Sequence, residues 1–384
     1  MVVYVTKQGS RVVRQGRHLL VKQDGDTLHT LFTHKLQQLI LCGNVTLTPP
    51  ALRLLLHEAI DTVFLSRDGR YYGRLALAEP KNVFLRRMQF VLCKDPSFYL
   101  PVARAIVRGK MANMATVLMR LKRARKSKAA GDAARQVRDL LSGLSRADDL
   151  NMVRGFEGRA SAVYFAALRT GFQGEWGFTK RVRRPPTDPV NAVLSLLYTF
   201  LINRVDAAVR IAGLDPYPGV LHSLEYGRHS LTMDLAEEFR TIVADTLTLS
   251  LFNLGILKKD DFRSVERHHP QKSHGDADQL DLVCTDPLAR MDFTPSNDVS
   301  DLDGPQTDSQ GPEELDRNGK PAVKLVPKAF RRVVEAFEKK LTTEFFHPRA
   351  EKRMTYAEAL VFQARHFRKM LEGETEGYAP LLLK

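Results

Sequence analysis

Residues 61–90, DTVFLSRDGRYYGRLALAEPKNVFLRRMQF, hold the change of texture that decides the fold class. Asp61–Ser66 is a short apolar run of strand composition, and Arg67-Asp68-Gly69-Arg70 is a tight turn leading to Tyr71-Tyr72. After Glu79-Pro80 the period changes, and from Phe84 to Phe90 apolar residues recur at helical spacing. Upstream, Val2–Thr6, Arg11–Val13 and His18–Val21 are rich in β-branched residues and punctuated by Gly9, Gly16 and Asp24-Gly25. Leu36–Cys42 is a further apolar run closed by Gly43-Asn44. Thr48-Pro49-Pro50 then opens one helix through His57, with Thr as N-cap and Pro in the first turn. Downstream, Tyr99–Lys126, Gly131–Leu144, Met152–Thr170, Val190–Ala212 and Leu235–Leu257 keep the helical period, with Pro185–Pro189 as a stiff stop. The fold class is therefore α+β. An N-terminal β-rich domain (1–80) precedes a larger all-helical domain (81–263).

The segment 264–319 breaks both patterns. It is polar and rich in Asp, Ser, Gly and Pro, which predicts a flexible insertion. Order returns with a strand at Ala322–Val326 and two basic amphipathic helices, Lys328–Phe345 and Thr355–Glu372, assigned to the helical domain as residues 320–384.

A chain of 384 residues has room for two or three domains. Met1–Ser10 has no apolar core behind a basic start, and the longest apolar run, Val190–Ile202, is interrupted by polar residues and short of a bilayer span. Cys42, Cys93 and Cys284 are far apart, which excludes a cysteine-rich zinc site and argues against a disulfide scaffold. These features predict a cytoplasmic protein with no membrane partner. The net charge is +14, yet residues 271–320 hold twelve acids and four bases. The rest of the chain therefore carries +22, a surplus that attracts polyanions such as nucleic acid and disfavours a hydrolase of small molecules.

Nucleotide-fuelled chemistry lacks a GxxxxGK[ST] loop, and no serine nucleophile elbow is present. Two other stretches carry chemistry. Arg154-Gly155-Phe156-Glu157-Gly158-Arg159 sets a carboxylate near the start of a helical pattern, where the plain alternative is helix-end electrostatics. In the second, His222 precedes Gly227–Arg240, where Asp234, Glu237 and Glu238 share a helix face by spacing. One His with two or three carboxylates is an oxygen-dominated set suited to Mg²⁺ or Mn²⁺. The alternative is a solvated acidic face paired with Arg228 or Arg240.

Together these stretches resemble the CRISPR-associated integrase–endonuclease family of spacer acquisition. The resemblance includes Leu41–Val45, Val63–Gly73, Gly109–Asn113, Glu157 in its Arg-Gly-Phe-Glu-Gly setting, and Arg184–Ala192. Gly213–Pro216, His222 and the Asp234–Arg240 string complete it, in the family order, over residues 1–262 and 320–384. It implies an N-terminal β-domain that dimerises and a helical catalytic domain holding one divalent metal through Glu157, His222 and Glu237. Asp234 is implied as a supporting acid, and Glu238 competes with Glu237 for the ligand position. The implied activity is metal-dependent DNA cleavage and insertion of captured DNA fragments as new spacers into a CRISPR array by 3′-hydroxyl transesterification, with Mg²⁺ or Mn²⁺ as cofactor. The implied partners are duplex DNA with 3′ ends, repeat DNA, a second copy of the chain, and the small second Cas adaptation protein that bridges two dimers. Lys110, Arg181, Arg183, Arg184 and Arg228 are candidates for holding phosphates, and Asn113, Tyr164, Trp176 and Asn191 for lining the site or wedging a DNA end. The same site would serve a stand-alone branched-DNA nuclease or a mobile-element integrase. A non-catalytic DNA-binding scaffold is the reading from another class, and the co-occurrence of Glu157, His222 and Glu237 argues against it. The acidic segment departs from the family pattern.

Overall fold

The computed structural model describes residues 1–75, 82–183, 185–265 and 320–383. The N-terminal strands are β1 (Val2–Val5), β2 (Arg11–Gln15), β3 (His18–Gln23), β4 (Asp26–Phe32), β5 (Gln38–Cys42) and β6 (Thr46–Leu47). Helix α1 (Pro49–His57) follows, then β7 (Asp61–Leu65) and β8 (Tyr71–Arg74). They form two four-stranded sheets, ordered β4-β3-β2-β6 and β1-β5-β7-β8. In the second sheet β1, β5 and β7 run parallel and β8 is antiparallel.

Strand β5, Gln38-Leu39-Ile40-Leu41-Cys42, explains how the two halves of the chain are joined. All five residues are buried, because both faces of this strand are covered. Leu39 and Leu41 pack with Val12, Leu19 and Leu55 in a small core between sheets and α1. Ile40 and Cys42, pointing the other way, join Val63 and Leu65 in the core of the helical body. The expected N-cap at Thr48 takes another form. Its hydroxyl donates to the Val12 carbonyl at 3.1 Å instead of capping α1, which Pro49 opens.

The body contains α2 (Val83–Leu92), α3 (Pro96–Arg125), α4 (Lys128–Gly143), α5 (Leu150–Leu168) and α6 (Pro189–Ile211). Next come α7 (Ser230–Phe239), a π-helical segment Arg240–Asp245 and α8 (Thr246–Asn253), a continuous helical run where the periodicity predicted a helix only from Leu235. Strand β9 (Phe262–Val265) pairs antiparallel with β10 (Ala322–Leu325), so the two ends of the acidic segment lie side by side. The strand extends to Val265, past the expected start of the insertion at 264, and the rest of that prediction lies outside the described residues. Helix α9 (Pro327–Leu341) stops before the expected Phe345, because Glu344 begins the hairpin of β11 (Glu344–His347) and β12 (Lys352–Thr355). Helix α10 (Tyr356–Leu371) starts at a capping box formed by Thr355 and Glu358. Helix α6 is long and apolar enough to cross a bilayer by length and composition, but here it is mostly buried in the core.

A buried polar junction ties the sheet to the helices. Asp206 on α6, only 2% exposed, pairs with Arg74 of β8 and accepts from Arg210 at 2.8 Å and from Thr232 of α7 at 3.1 Å. His229, at the start of α7, places Nδ1 2.8 Å from the same carboxylate. Burial, with Arg210 and Arg74 nearby, pushes the His229 imidazole down to about 4. The folded state therefore favours the neutral ring, whereas the unfolded chain takes up a proton near pH 6.5. This contribution to stability is complete above pH 6.5 and is lost as pH falls toward 4, by up to about 3 kcal/mol. His229→Asn, which can still donate to Asp206, is expected to flatten urea-unfolding stability between pH 6.5 and 4. Parallel pH profiles for the two proteins would refute it.

Candidate active site

The site is built where α3, α5 and α7 meet the loop before α7. Helix α5 begins at Leu150, capped by Asp149, whose side chain accepts from the Met152 amide at 2.7 Å. Glu157 consequently lies two turns inside the helix, and an end-of-helix role does not account for it. A Cβ added at Gly155 or Gly158 would meet nothing within 4 Å, so the helix face beside Glu157 is open. Its Oε1 accepts from Ser161 at 2.9 Å and from the ammonium of Lys110. Burial would raise this carboxyl, but Lys110, the Ser161 hydroxyl and the more distant Arg240 outweigh it and hold it at about 2.

Helix α7 is buried throughout, which excludes a solvated acidic face. Its three acids divide by helix phase. Glu237 points toward α5, with Oε2 2.6 Å from Lys110 Nζ and Oε1 3.9 Å from His222 Nε2 and 3.5 Å from Arg240. Glu238 points the opposite way, accepting from Tyr378 at 2.5 Å, from Gln363 at 3.1 Å and from the Leu381 amide. Burial pushes its carboxyl to about 7 against those hydrogen bonds. Asn113 completes this rear attachment, donating to the carbonyls of Glu238 and Leu381.

Asp234 is fully buried and organises the His222 loop. Its two oxygens accept from the amides of Val220, Leu221 and His222 at 2.6, 3.0 and 3.0 Å, and Oδ1 lies 2.6 Å from His222 Nδ1. The imidazole thus meets the Asp234 carboxylate through Nδ1 and turns Nε2 toward Glu237. The loop can approach this closely because residue 219 is glycine: a Cβ there would sit 2.6 Å from the Asp234 carboxylate and 2.7 Å from the Ser230 backbone. Arg154 holds the loop from α5, donating twice to the Leu221 carbonyl at 2.9 and 2.7 Å.

Glu157, Glu237 and His222 Nε2 are a donor set suited to a hard divalent cation, and the Lys110 ammonium between the two carboxylates shows that a positive charge fits there. The carboxylates in turn keep Lys110 protonated despite its burial. With that ammonium in place, no group of three His, Cys, Asp or Glu side chains among the described residues has metal-holding spacing. A cation entering the site requires Lys110 to swing aside.

The other sequence candidates separate as follows. Arg181 and Arg183 line a pocket next to Lys110, Arg181 being anchored by Asn191 at 3.0 Å and Ser195 at 3.1 Å. Arg228 turns into its own loop, onto Glu225 at 2.7 Å, and is not grouped with them. Arg184 lies outside the described residues. Asn113 and Asn191 are structural anchors, and Trp176 donates to the Gln173 carbonyl while packing on Phe252. Tyr164 is buried and donates to Asp245 at 2.9 Å. Sequence reading missed Ser161, Thr241 and Asp245, and it placed Arg240 only as a surface partner. The i, i+4 spacing of Ser161 after Glu157 and of Thr241 after Glu237 is the signal that could have found the first two.

A family model described as "CRISPR associated protein Cas1" matches residues 3–274. The CRISPR-associated endonuclease Cas1 3 of Thermus thermophilus is 30% identical over 384 residues, covering 99% of this chain and 95% of that protein. Among solved structures, a chain of the Cas6-RT-Cas1–Cas2 complex matches with a TM-score of 0.77 at 23% identity. It covers all of this chain, which corresponds to 36% of that longer one. A casposase bound to its integration product also matches with a TM-score of 0.77, at 18% identity, over 98% of this chain and 92% of that one. The family model, the full-length relative and the shared fold all agree: the chain belongs to the Cas1 family of CRISPR-associated proteins.

Proposed function

We infer that this member of a nuclease and integrase family is a divalent-metal-dependent DNA endonuclease and integrase, which joins the 3′-hydroxyl of a captured DNA fragment to a phosphodiester of repeat DNA. The observation that carries the reading is the convergence of Glu157 and Glu237 on one cation position with His222 Nε2 alongside, its ring held by Asp234. Bound there, Mg²⁺ or Mn²⁺ supplies a lowered pKa for the attacking hydroxyl and neutralisation of charge on the leaving oxygen. The protein itself supplies position. Glu157, pinned by Ser161, and Glu237, on a fully buried helix, leave little freedom to the donor set. Lys110, displaced from the carboxylates, and Arg240 beside Glu237 would hold a non-reacting phosphate oxygen. No protein nucleophile is required, since the attacking group is a DNA hydroxyl or water.

The partners proposed are DNA, a second copy of the chain through the β-rich domain, and the small second Cas adaptation protein. The Cas2-containing complex among the structural relatives supports the last. Edge strand β4, with Leu28 and Phe32 each 40% exposed, supports self-association. A dimer mass by light scattering at micromolar concentration is expected, and a strict monomer would remove this part.

The decisive assay combines a plasmid carrying a repeat array, short duplexes with 3′-hydroxyl ends, Mn²⁺ and the partner protein. Joined products are expected, and none with EDTA or with 3′-deoxy ends. The casposase likeness favours a second reading, a mobile-element integrase. Joining that ignores the repeat would support that one instead.

A further inference from the structure

The cation position between the two glutamates is taken by part of the protein itself. Lys110, buried on α3, sets its ammonium against Glu157 of α5 and 2.6 Å from Glu237 Oε2 of α7. Two carboxylates that meet at one point out of water repel each other unless a cation lies between them. The ammonium answers that repulsion, and Arg240, 3.5 Å from Glu237 Oε1, adds to it. A divalent ion and an ammonium repel too strongly to share one gap, so cation entry is an exchange in which Lys110 leaves.

Where the displaced charge can go is set by its surroundings. Helix α3 cannot retreat with it. A Cβ at Gly109 would collide with Pro380, and Asn113 ties the helix to the carbonyls of Glu238 and Leu381 at 3.0 and 2.9 Å. The lysine side chain must therefore turn on its own, into the space it shares with Lys180, Arg181, Arg183 and Arg240. Among the described residues lining that space the one carboxylate is Asp245, and its two oxygens already accept from Tyr164 at 2.9 Å and Tyr198 at 2.7 Å. A further positive charge arriving there meets four others, which is unfavourable by Coulomb's law. The acceptor it needs is an anion from outside the chain, and the phosphates of DNA are the anions that so basic a body attracts.

We propose that Lys110 is an internal counter-ion that makes cation loading depend on DNA: a DNA phosphate draws the ammonium away from Glu157 and Glu237 and thereby opens the donor set to a divalent metal. The proposal rests on the integrase reading above and adds an order of events to it. Without DNA the chain keeps its own acids neutralised, and the donor set opens where DNA is bound. Because binding free energies are reciprocal, DNA tightens metal binding by the same factor as metal tightens DNA binding.

The test is a titration of the full-length protein with Mn²⁺, followed by electron paramagnetic resonance. It is run with and without a duplex carrying 3′-deoxy ends, with the duplex alone as blank. In the unaltered protein the duplex is expected to tighten Mn²⁺ binding by about 10–100-fold, within the ordinary range of coupling between sites. Lys110→Met removes the competitor. It is expected to bind Mn²⁺ about tenfold more tightly than the unaltered protein in the absence of DNA, and to gain about tenfold less from the duplex. A lysine that merely braced the helices would weaken Mn²⁺ binding when removed, which is the opposite sign. The melting temperature supplies a second reading: without Mn²⁺ the variant should melt below the unaltered protein, and with Mn²⁺ it should recover. Lys110→Gln, which can still donate to a carboxylate, is the variant to use if Lys110→Met does not fold, with the same direction expected. Equal Mn²⁺ affinity with and without the duplex in the unaltered protein would overturn the proposal and leave the metal site standing. An unchanged or weaker affinity in a folded Lys110 variant without DNA would do the same. No Mn²⁺ binding in any of these proteins, with or without the duplex, would instead remove the integrase reading and the proposal with it.

Discussion

Glu157→Gln, Glu237→Gln and His222→Ala are each expected to lower metal-dependent cleavage and joining of DNA by on the order of 10³-fold, because charge stabilisation by a bound metal is worth several kcal/mol. The side chains replaced are the three proposed to hold the cation, and a weakly held hard cation would not survive the loss of one donor in three. Glu238→Gln is the control that makes the set informative. Its carboxylate faces Tyr378, Gln363 and the Leu381 amide on the far side of α7, so this variant should unfold more easily yet bind Mn²⁺ as before. Titration with Mn²⁺ monitored by electron paramagnetic resonance separates binding from turnover. Normal affinity in Glu237→Gln with loss in Glu238→Gln would reverse the assignment.

Asp234→Ala is expected to be at least as damaging, through a different route. It strips the partner from three backbone amides and one imidazole in a fully buried place. Each orphaned buried donor costs about 1–3 kcal/mol, so a loss of about 3–5 kcal/mol is expected after the loop relaxes. Asp234→Asn keeps the volume but sets an amide against those donors and frees the His222 ring to turn. Metal affinity should fall by about 10–100-fold, the usual cost of removing the group that orients a ligand histidine. Calorimetry for stability and Mn²⁺ titration for affinity check the two effects. An Asp234→Asn protein with unchanged affinity would show that the carboxylate only braces the loop.

The reasons some features were legible in the sequence lie in particular residues. Helices such as α3 and α6 announce themselves because one-sided burial imposes a 3.6-residue period over many turns. Strand β4 was missed: DTLHTLF has no clean alternation, since the strand is exposed almost throughout and its pairing with β3 slips at Val21/Lys22. The π segment left no trace either, because Arg240–Asp245 reads as ordinary helix and only tertiary packing decides its wider turn. At the site, the family resemblance named Glu157, His222 and Glu237, whereas residue spacing could not choose between neighbouring acids on α7. The fold separates them, turning Glu238 onto Tyr378, Gln363 and Leu381, more than a hundred residues away in sequence, and Glu237 toward Lys110. Lys110 was expected at a phosphate. Its place between two carboxylates depends on the crossing of α3 with α5, which no local pattern encodes.

The pairing of β9 with β10 has a consequence for how this chain can change over generations. Phe262–Val265 and Ala322–Leu325 are zipped together, so whatever lies between them is closed at its base by the body of the protein. Ring-closure entropy grows only with the logarithm of contour length, and doubling or halving the enclosed stretch alters folding free energy by about 0.6 kcal/mol. By that closure term alone, a change of length between the two strands costs the helical body little. The β9–β10 pair itself belongs to the body that holds Glu157, His222 and Glu237.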